Sequence, residues 1–338
     1  GSHMKSSWVR RPVTGLGVFL IAIVLTVTLP LWAVVTMTVD AVRGRWRFPI
    51  SRLIGFATCW AWLETSGLVV ALFLFFTGRG RSAPAHYALQ TWWCRSLIQA
   101  LGFTVGLQIT VEGAEHVGPG PFIALGRHAS LADSIMSSWV VASHVGLRPR
   151  FVLKKELKMD PCLDILGHRL PNYFVDRESS DIAGELQGIE QMAAGLGVKD
   201  CAVIFPEGSR ASAKKRVRAL ERLRERSPQR AETLAGLKYL IPPKPAGANA
   251  LLSAVPEANV LTMWHSGFDG LDTFSGIVSH LGRAKAKVHV HVEEIPRALI
   301  PSGEAFVSWL DAKWVEMDNA VRRQLDSDAN SNRGVVHG

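Results

Sequence analysis

His128 and Asp133 stand five residues apart in the segment Arg127-His128-Ala129-Ser130-Leu131-Ala132-Asp133-Ser134, directly after a short apolar run at 122–125. A histidine between the end of a strand and the start of a helix is exposed yet held by rigid elements. If the turn after it is not yet helical, the aspartate folds back onto the imidazole. It then fixes the tautomer and stabilises the imidazolium while the other nitrogen takes a proton. A pair of this kind suits general-base activation of an alcohol. The spacing alone fits a blander arrangement better, with the aspartate capping the helix and the histidine on the surface.

Three further runs end in residues able to hold an anion. The run 202–205 leads into Pro206-Glu207-Gly208-Ser209-Arg210, a tight polar turn whose backbone amides suit a phosphate, with Arg210 able to make a forked pair. Phe174-Val175-Asp176-Arg177 offers a second arginine, and Phe151-Val152-Leu153-Lys154 a lysine. Strand ends that face the same way converge on one crevice in an open α/β sheet. One histidine–aspartate pair and several cations are therefore expected to meet there.

The elements that must position these residues are legible as alternating patterns. Short apolar runs at 107–111, 122–125, 150–153, 173–175, 202–205, 260–263 and 287–292 read as strands. Helical stretches at 131–144, 182–196, 212–226 and 302–325 lie between or after them. This predicts an α/β fold with a mixed, largely central sheet flanked by helices. An apolar two-helix membrane element precedes it. Residues 12–39 carry no charge and are long enough to cross a bilayer, with Pro30 expected to kink or break the helix. A second apolar stretch, 53–77, is interrupted only by Glu64, which reads as a structural partner within the helix pair or at headgroup depth. The aromatic-rich stretch 83–101, with Tyr87, Trp92 and Trp93, reads either as an interfacial helix or as one packed on the domain. The expected division is 1–80, an expression scar (Gly1 to Met4) and the membrane-anchoring hairpin, then 81–338, the α/β domain with a basic insertion at 212–247.

Composition narrows the class. A net charge of +9 and a mean hydropathy of +0.15 fit a protein held against anionic lipid. No nucleic-acid module accompanies the charge, so nucleic acid is not an expected partner. Four scattered cysteines without a CxxC pair suggest neither a zinc site nor a disulfide framework. His289 and His291 alternate along one strand, where a solvated strand face is the plainer reading and a metal pair the alternative. Basic clusters flank every end of the apolar stretches, Lys5, Arg10 and Arg11 first, then Arg43, Arg45, Arg47 and Arg52, then Arg79 and Arg81. That symmetry favours a hairpin dipping into one leaflet over two full spans.

His128-x4-Asp133, Phe174-Val175-Asp176-Arg177 and Phe205-Pro206-Glu207-Gly208-Ser209-Arg210, in this order, resemble the first three motifs of the 1-acylglycerol-3-phosphate acyltransferase (PlsC-like) family. The similarity runs over residues 100–294, and Lys154 matches the lysine that the family carries before its second motif. The fourth motif is only loosely echoed at 260–265. Arg127 stands where the family usually has asparagine, and Ser209 where threonine is common. The resemblance implies an enzyme that moves a fatty acyl group from acyl-CoA or acyl-carrier protein to the free hydroxyl of lysophosphatidic acid, with no cofactor beyond that co-substrate. It implies His128 as base, Asp133 as its orienting partner, and Lys154, Arg177, Glu207, Gly208, Ser209 and Arg210 around the acceptor phosphate. It also implies lysophospholipid and membrane lipid as partners, with the catalytic domain on the cytoplasmic face of the membrane. Two alternatives are an acyltransferase with another acceptor head group and a catalytically silent lipid-binding adaptor. The basic stretch 214–226 reads as a solvated face or as a surface for anionic headgroups, a carrier protein or CoA phosphates.

Overall fold

Four helices come first: α1 (Ser7–Val27), α2 (Leu29–Val42), α3 (Pro49–Phe76) and α4 (Ala83–Val105). Strands and helices then alternate as β1 (Gln108–Glu112), β2 (Phe122–Gly126), α5 (Asp133–Trp139), β3 (Arg148–Lys154), α6 (Pro161–Arg169), β4 (Tyr173–Val175) and α7 (Ile182–Met192). The series continues with β5 (Asp200–Ile204), α8 (Ala213–Arg226), α9 (Pro228–Leu234), α10 (Pro245–Ala254) and β6 (Asn259–Ser266). It ends with α11 (Phe274–Arg283), β7 (Lys287–Ile295) and α12 (Glu304–Val336). The structure, a computed structural model, describes residues 7–128, 133–268, 271 and 274–336. Gly1 to Met4, Lys5 and residues 129–132 lie outside the described residues, so the helix expected from 131 is described only from Asp133.

The fold is mixed α/β. Seven strands form one sheet in the order β1-β7-β6-β2-β5-β3-β4. Strand β2 is parallel to β5 and β6, β3 is parallel to β5, and β7 runs antiparallel to β6. Central β2, Phe122-Ile123-Ala124-Leu125-Gly126, is buried at every position, as a strand covered on both faces must be. In β7, Val288, Val290 and Val292 point inward while Lys287, His289, His291 and Glu293 face outward, the period-two pattern of a sheet with one wetter face.

The chain divides into two compact units. The first comprises Gly1–Gln108, Leu153–Arg177 and Phe274–Ala286; the second comprises Ile109–Val152, Glu178–Thr273 and Lys287–Gly338.

In the first unit, two helices are long and apolar enough to cross a membrane, Trp8–Val27 and Pro49–Phe76. Helix α1 ends at Val27, and Pro30 falls in the first turn of α2, where its missing N–H removes no helical bond. The buried Asp40 carboxylate then accepts the Ile50 and Ser51 N–H groups and so caps α3. Helix α3 is about 42 Å long at 1.5 Å per residue. Near its start, Leu53 and Phe56 pack with Val105 of α4 and Leu281 of α11, and Arg47 Nε donates to the Leu281 carbonyl at 3.3 Å. Near its end, Ala71 and Leu74 pack with Leu89 of α4 and Leu166 of α6. Midway, Trp93 of α4 is 1% exposed and donates its indole N–H to Leu63 O at 3.2 Å. So α4 packs along α3 while Trp92 and Phe103 stay exposed. Glu64 is fully buried, and its partner lies outside the apolar helix pair: Oε2 accepts the Cys162 N–H in the first turn of α6.

Helix α1 is tied to α6 by charge. Arg10 donates to both Asp164 oxygens at 3.0–3.1 Å, and Arg11 Nε adds a bond of 3.2 Å. Burial alone would lift the Asp164 carboxyl. Its hydrogen bond with His168 and those from Arg10 and Arg11 outweigh this and hold it down at about 2. The folded value lies below the unfolded one, so the stability Asp164 contributes is present above roughly pH 4 and is lost as pH falls through 2. An Asp164→Asn variant is therefore expected to melt several degrees below wild type at neutral pH, with the gap closing as pH falls from about 4 towards 2. Thermal melts of the detergent-solubilised proteins across that range check it, and a gap independent of pH contradicts it.

Candidate active site

His128 lies two residues beyond β2, and Asp133 opens α5. The Asp133 Oδ2 atom is 2.7 Å from His128 Nδ1. Burial by itself would raise the Asp133 pKa. The His265 and His128 imidazoles beside it reverse that and hold the carboxyl well below its usual range. An ionised carboxylate can only accept, so His128 carries its hydrogen on Nδ1 and the lone pair on Nε2. The His128 side chain is 13% exposed, and Nε2 has no hydrogen-bond partner among the described residues. Phe205 stacks against the imidazole, with ring centroids 5.2 Å apart. A tautomer fixed on one side, a free basic nitrogen on the other and an apolar wall beside it can take a proton from a hydroxyl.

The turn after β5 is built into the same place. Gly208 closes it by donating to Phe205 O at 3.1 Å, and its φ of +78° is a backbone conformation that glycine adopts without penalty. Glu207 is 1% exposed. Its Oε1 accepts the His128 N–H at 2.7 Å and its Oε2 the Ile241 N–H at 2.6 Å. Burial pushes Glu207 up to about 8, against the pull of those two N–H groups and of Arg127. Both oxygens are thus occupied by backbone, and Glu207 fastens the His128 main chain to the loop 238–241. That loop is held in turn by Asp318 of α12, whose buried carboxylate accepts the N–H groups of Lys238, Tyr239 and Leu240. Ala211 N–H donates to His128 O at 2.9 Å, which joins the turn to the histidine a second time.

Arg127, where the motif differs from the family habit, is 1% exposed and donates from Nη1 to His265 O at 2.6 Å. Its own N–H donates to Met263 O at 3.0 Å. Arg127 therefore locks the end of β2 to the end of β6. The sequence pointed to neither this lock nor His265, whose Nε2 is 2.8 Å from Asp133 Oδ1. The one available signal was the loose fourth motif at 260–265.

The second unit thus brings together His128, Asp133, Glu207, Gly208, Ser209 and Arg210. Arg210 is half-buried and has no ion pair among the described residues. Lys154 and Arg177 belong to the first unit, where Lys155 pairs with Asp176 at 3.0 Å and Lys158 lies over the Phe174 ring. In α8, Lys214, Lys215, Arg218, Arg222, Arg224 and Arg226 are exposed and form no ion pair among the described residues. Arg216 instead bonds Leu240 O at 2.9 Å. Among the described residues, no group of three His, Cys, Asp or Glu side chains is placed to hold a metal ion. His289 and His291 flank Glu112, at 3.2 and 4.0 Å, with their rings over Trp264.

Residues 108–264 match the family model named Acyltransferase. A search of the curated proteins found no match to this chain. Among solved structures, the chain is similar to the 1-acyl-sn-glycerophosphate (LPA) acyltransferase PlsC from Thermotoga maritima, at 16% identity over 78% of this chain and 94% of that one, with a TM-score of 0.47. The matched segment holds the His128–Asp133 pair and the Pro206–Arg210 turn. Residues 108–264 therefore form an acyltransferase-family domain, which supports reading the protein as an acyltransferase enzyme.

Proposed function

We propose that the enzyme transfers a fatty acyl group from acyl-CoA or acyl-carrier protein to the free hydroxyl of lysophosphatidic acid, making phosphatidic acid. The observation that carries this reading is the His128 imidazole, bound through Nδ1 to an ionised Asp133 and free at Nε2. His128 Nε2 takes the hydroxyl proton as the oxygen attacks the thioester carbonyl. The tetrahedral intermediate then expels the thiolate, which takes the proton back from the imidazolium. No covalent acyl-enzyme and no cofactor enter this scheme. Glu207 acts through the backbone of His128. Arg210 and the turn amides of Gly208 and Ser209 bind the acceptor phosphate, which a forked guanidinium fits. Lys154 and Arg177 are assigned to that phosphate on the motif resemblance alone. Holding the hydroxyl in line with the carbonyl is worth several kcal/mol of the barrier.

Acyl transfer by purified enzyme to a panel of lysolipids tests the acceptor. Lysophosphatidic acid is expected to outperform acceptors with capped phosphates. Arg210→Ala and Arg177→Ala are expected to raise the acceptor KM at least tenfold while leaving the donor KM near wild type. An acceptor KM unchanged in both variants overturns the phosphate assignment and favours a different head group.

For the apolar helices we propose insertion into the cytoplasmic leaflet alone. A helix that spans puts its ends on opposite sides of about 30 Å of hydrocarbon. Both ends of α3 instead pack on polar-faced helices of the same unit, α11 at one end and α6 at the other, and α4 with its exposed Arg95 runs alongside. Spanning would draw those charges into lipid. Single cysteines at Trp46 and Arg81, both exposed, in a background without the native thiols, report the topology by labelling with an impermeant reagent in sealed vesicles. The two sites are expected to react from the same face; reaction from opposite faces restores two full spans.

A further inference from the structure

Helix α8 starts two residues beyond Ala211, the residue bonded to the His128 carbonyl, and it lies in the same compact unit as the base. Ser212 caps it by accepting the Lys215 N–H at 3.2 Å. Its inner face carries Arg216, Leu220 and Leu223; Leu220 is buried, and Arg216 Nε donates to Leu240 O at 2.9 Å. At 3.6 residues per turn, Lys215, Arg218, Arg222 and Arg226 fall on one outward edge, in a row about 16 Å long. All four are exposed, and none forms an ion pair among the described residues. Glu221 and Glu225 occupy the outward ridge beside the row, and Arg224 lies on the opposite edge.

Helix stability does not select such a row. Lys214 and Lys215 set positive charge against the positive end of the helix dipole, and the first turn holds no acidic residue. Arg218 repels Arg222, and Arg222 repels Arg226, each four residues on. Only Arg224 and Arg226 suit their place in the last turn. Cations fixed at turn spacing match carboxylates that repeat every three or four residues along another helix, and guanidinium forks bind carboxylates in pairs. An anionic bilayer fits less well. Val217 is the one large apolar side chain exposed on α8 among the described residues, and Glu221 and Glu225 would be pressed against headgroup phosphates. The phosphates of CoA are a compact group, whereas the row runs along the convex side of a helix.

We propose that α8 is the docking surface for a carrier-protein acyl donor, which lays an acidic helix along Lys215, Arg218, Arg222 and Arg226. This rests on the reading of the protein as an acyltransferase that takes its acyl group from a thioester, and it selects the carrier protein over acyl-CoA. The row is mounted on the catalytic machinery. Ala211 ties the start of α8 to the His128 main chain, and Arg216 ties it to the loop that Glu207 binds. A partner seated on α8 is therefore held in a set position relative to the base. The row also steers an acidic partner to that position, which raises the encounter rate and makes it sensitive to salt.

The test compares purified full-length enzyme with the triple variant Lys215→Gln, Arg218→Gln, Arg222→Gln, using acylated carrier protein and acyl-CoA in turn as donor. The triple variant is expected to raise the carrier-protein KM roughly tenfold or more, with kcat and the acyl-CoA KM near wild type. Arg224→Gln removes a charge from the other edge and should leave both donors near wild type. For wild type, the carrier-protein KM should rise several-fold between about 0.01 and 0.15 M salt, as the screening length falls from about 30 to 8 Å. In the triple variant that rise should largely vanish. An unchanged carrier-protein KM in the triple variant overturns the proposal. So does an equal rise for acyl-CoA, which assigns the row to phosphates, or loss of binding to phosphatidylglycerol vesicles alone, which assigns it to the bilayer. Fluorescence anisotropy of labelled carrier protein, read without lysolipid, should show binding to wild type and binding weaker by roughly tenfold or more in the triple variant. That difference survives if the acceptor is some other lysolipid. Turnover of lysophosphatidic acid from acyl-CoA with no carrier-protein binding overturns the docking surface alone.

Discussion

A single buried negative charge organises this site. Asp133 sits wholly out of water, where an isolated carboxylate would neutralise itself by taking a proton. It stays ionised because two imidazoles flank it, His128 donating to one oxygen at 2.7 Å and His265 Nε2 standing 2.8 Å from the other. Those rings must come from different parts of the chain and be placed closely, since a half-satisfied buried network costs more than none. Much of the surrounding architecture follows from that demand. The parallel pairing of β2 and β6 puts His128 and His265 at neighbouring strand ends, and Arg127 bolts those ends together. Glu207 and Asp318 then commit their own buried carboxylates to backbone N–H groups, fixing the main chain of His128 and the loop beneath it.

This explains why parts of the molecule were legible in its sequence and others were not. All seven strands announced themselves through short apolar runs between helical stretches, unbroken in fully buried β2 and alternating in β7, whose one face is wetter. The effect of Pro30 was equally local and falls at the junction of α1 and α2. The proximity of His128 and Asp133 was readable because only four residues separate them. His265 is 137 positions from His128, and nothing in Val260-Leu261-Thr262-Met263-Trp264-His265 marks one polar side chain as a neighbour of Asp133. Glu207 sat in a recognisable motif, yet its partners are backbone atoms, and no residue type encodes those. The stretch 212–247 looked like an appended insertion. Its later part proves to be the segment that Asp318 holds and that Glu207 binds.

The first unit repeats the theme with different charges. Asp164 draws Arg10 and Arg11 of α1 onto α6, and Glu64, which read as a partner within the apolar pair, caps the first turn of α6 instead. Each contact spans about a hundred residues or more in sequence, so local pattern gave the presence of the charge and not its partner. The consequence is an apolar α3 that packs on α11 near its start and on α4 and α6 near its end.

The central claim is that His128, oriented by Asp133, removes the acceptor proton. Turnover of folded His128→Ala and Asp133→Asn enzymes, measured as acyl transfer to lysophosphatidic acid with membrane binding intact, tests it most directly. His128→Ala is expected to fall to background, and Asp133→Asn to lose less but still several orders of magnitude, as a base held in the wrong tautomer does. A folded His128→Ala protein that turned over at the wild-type rate would contradict it.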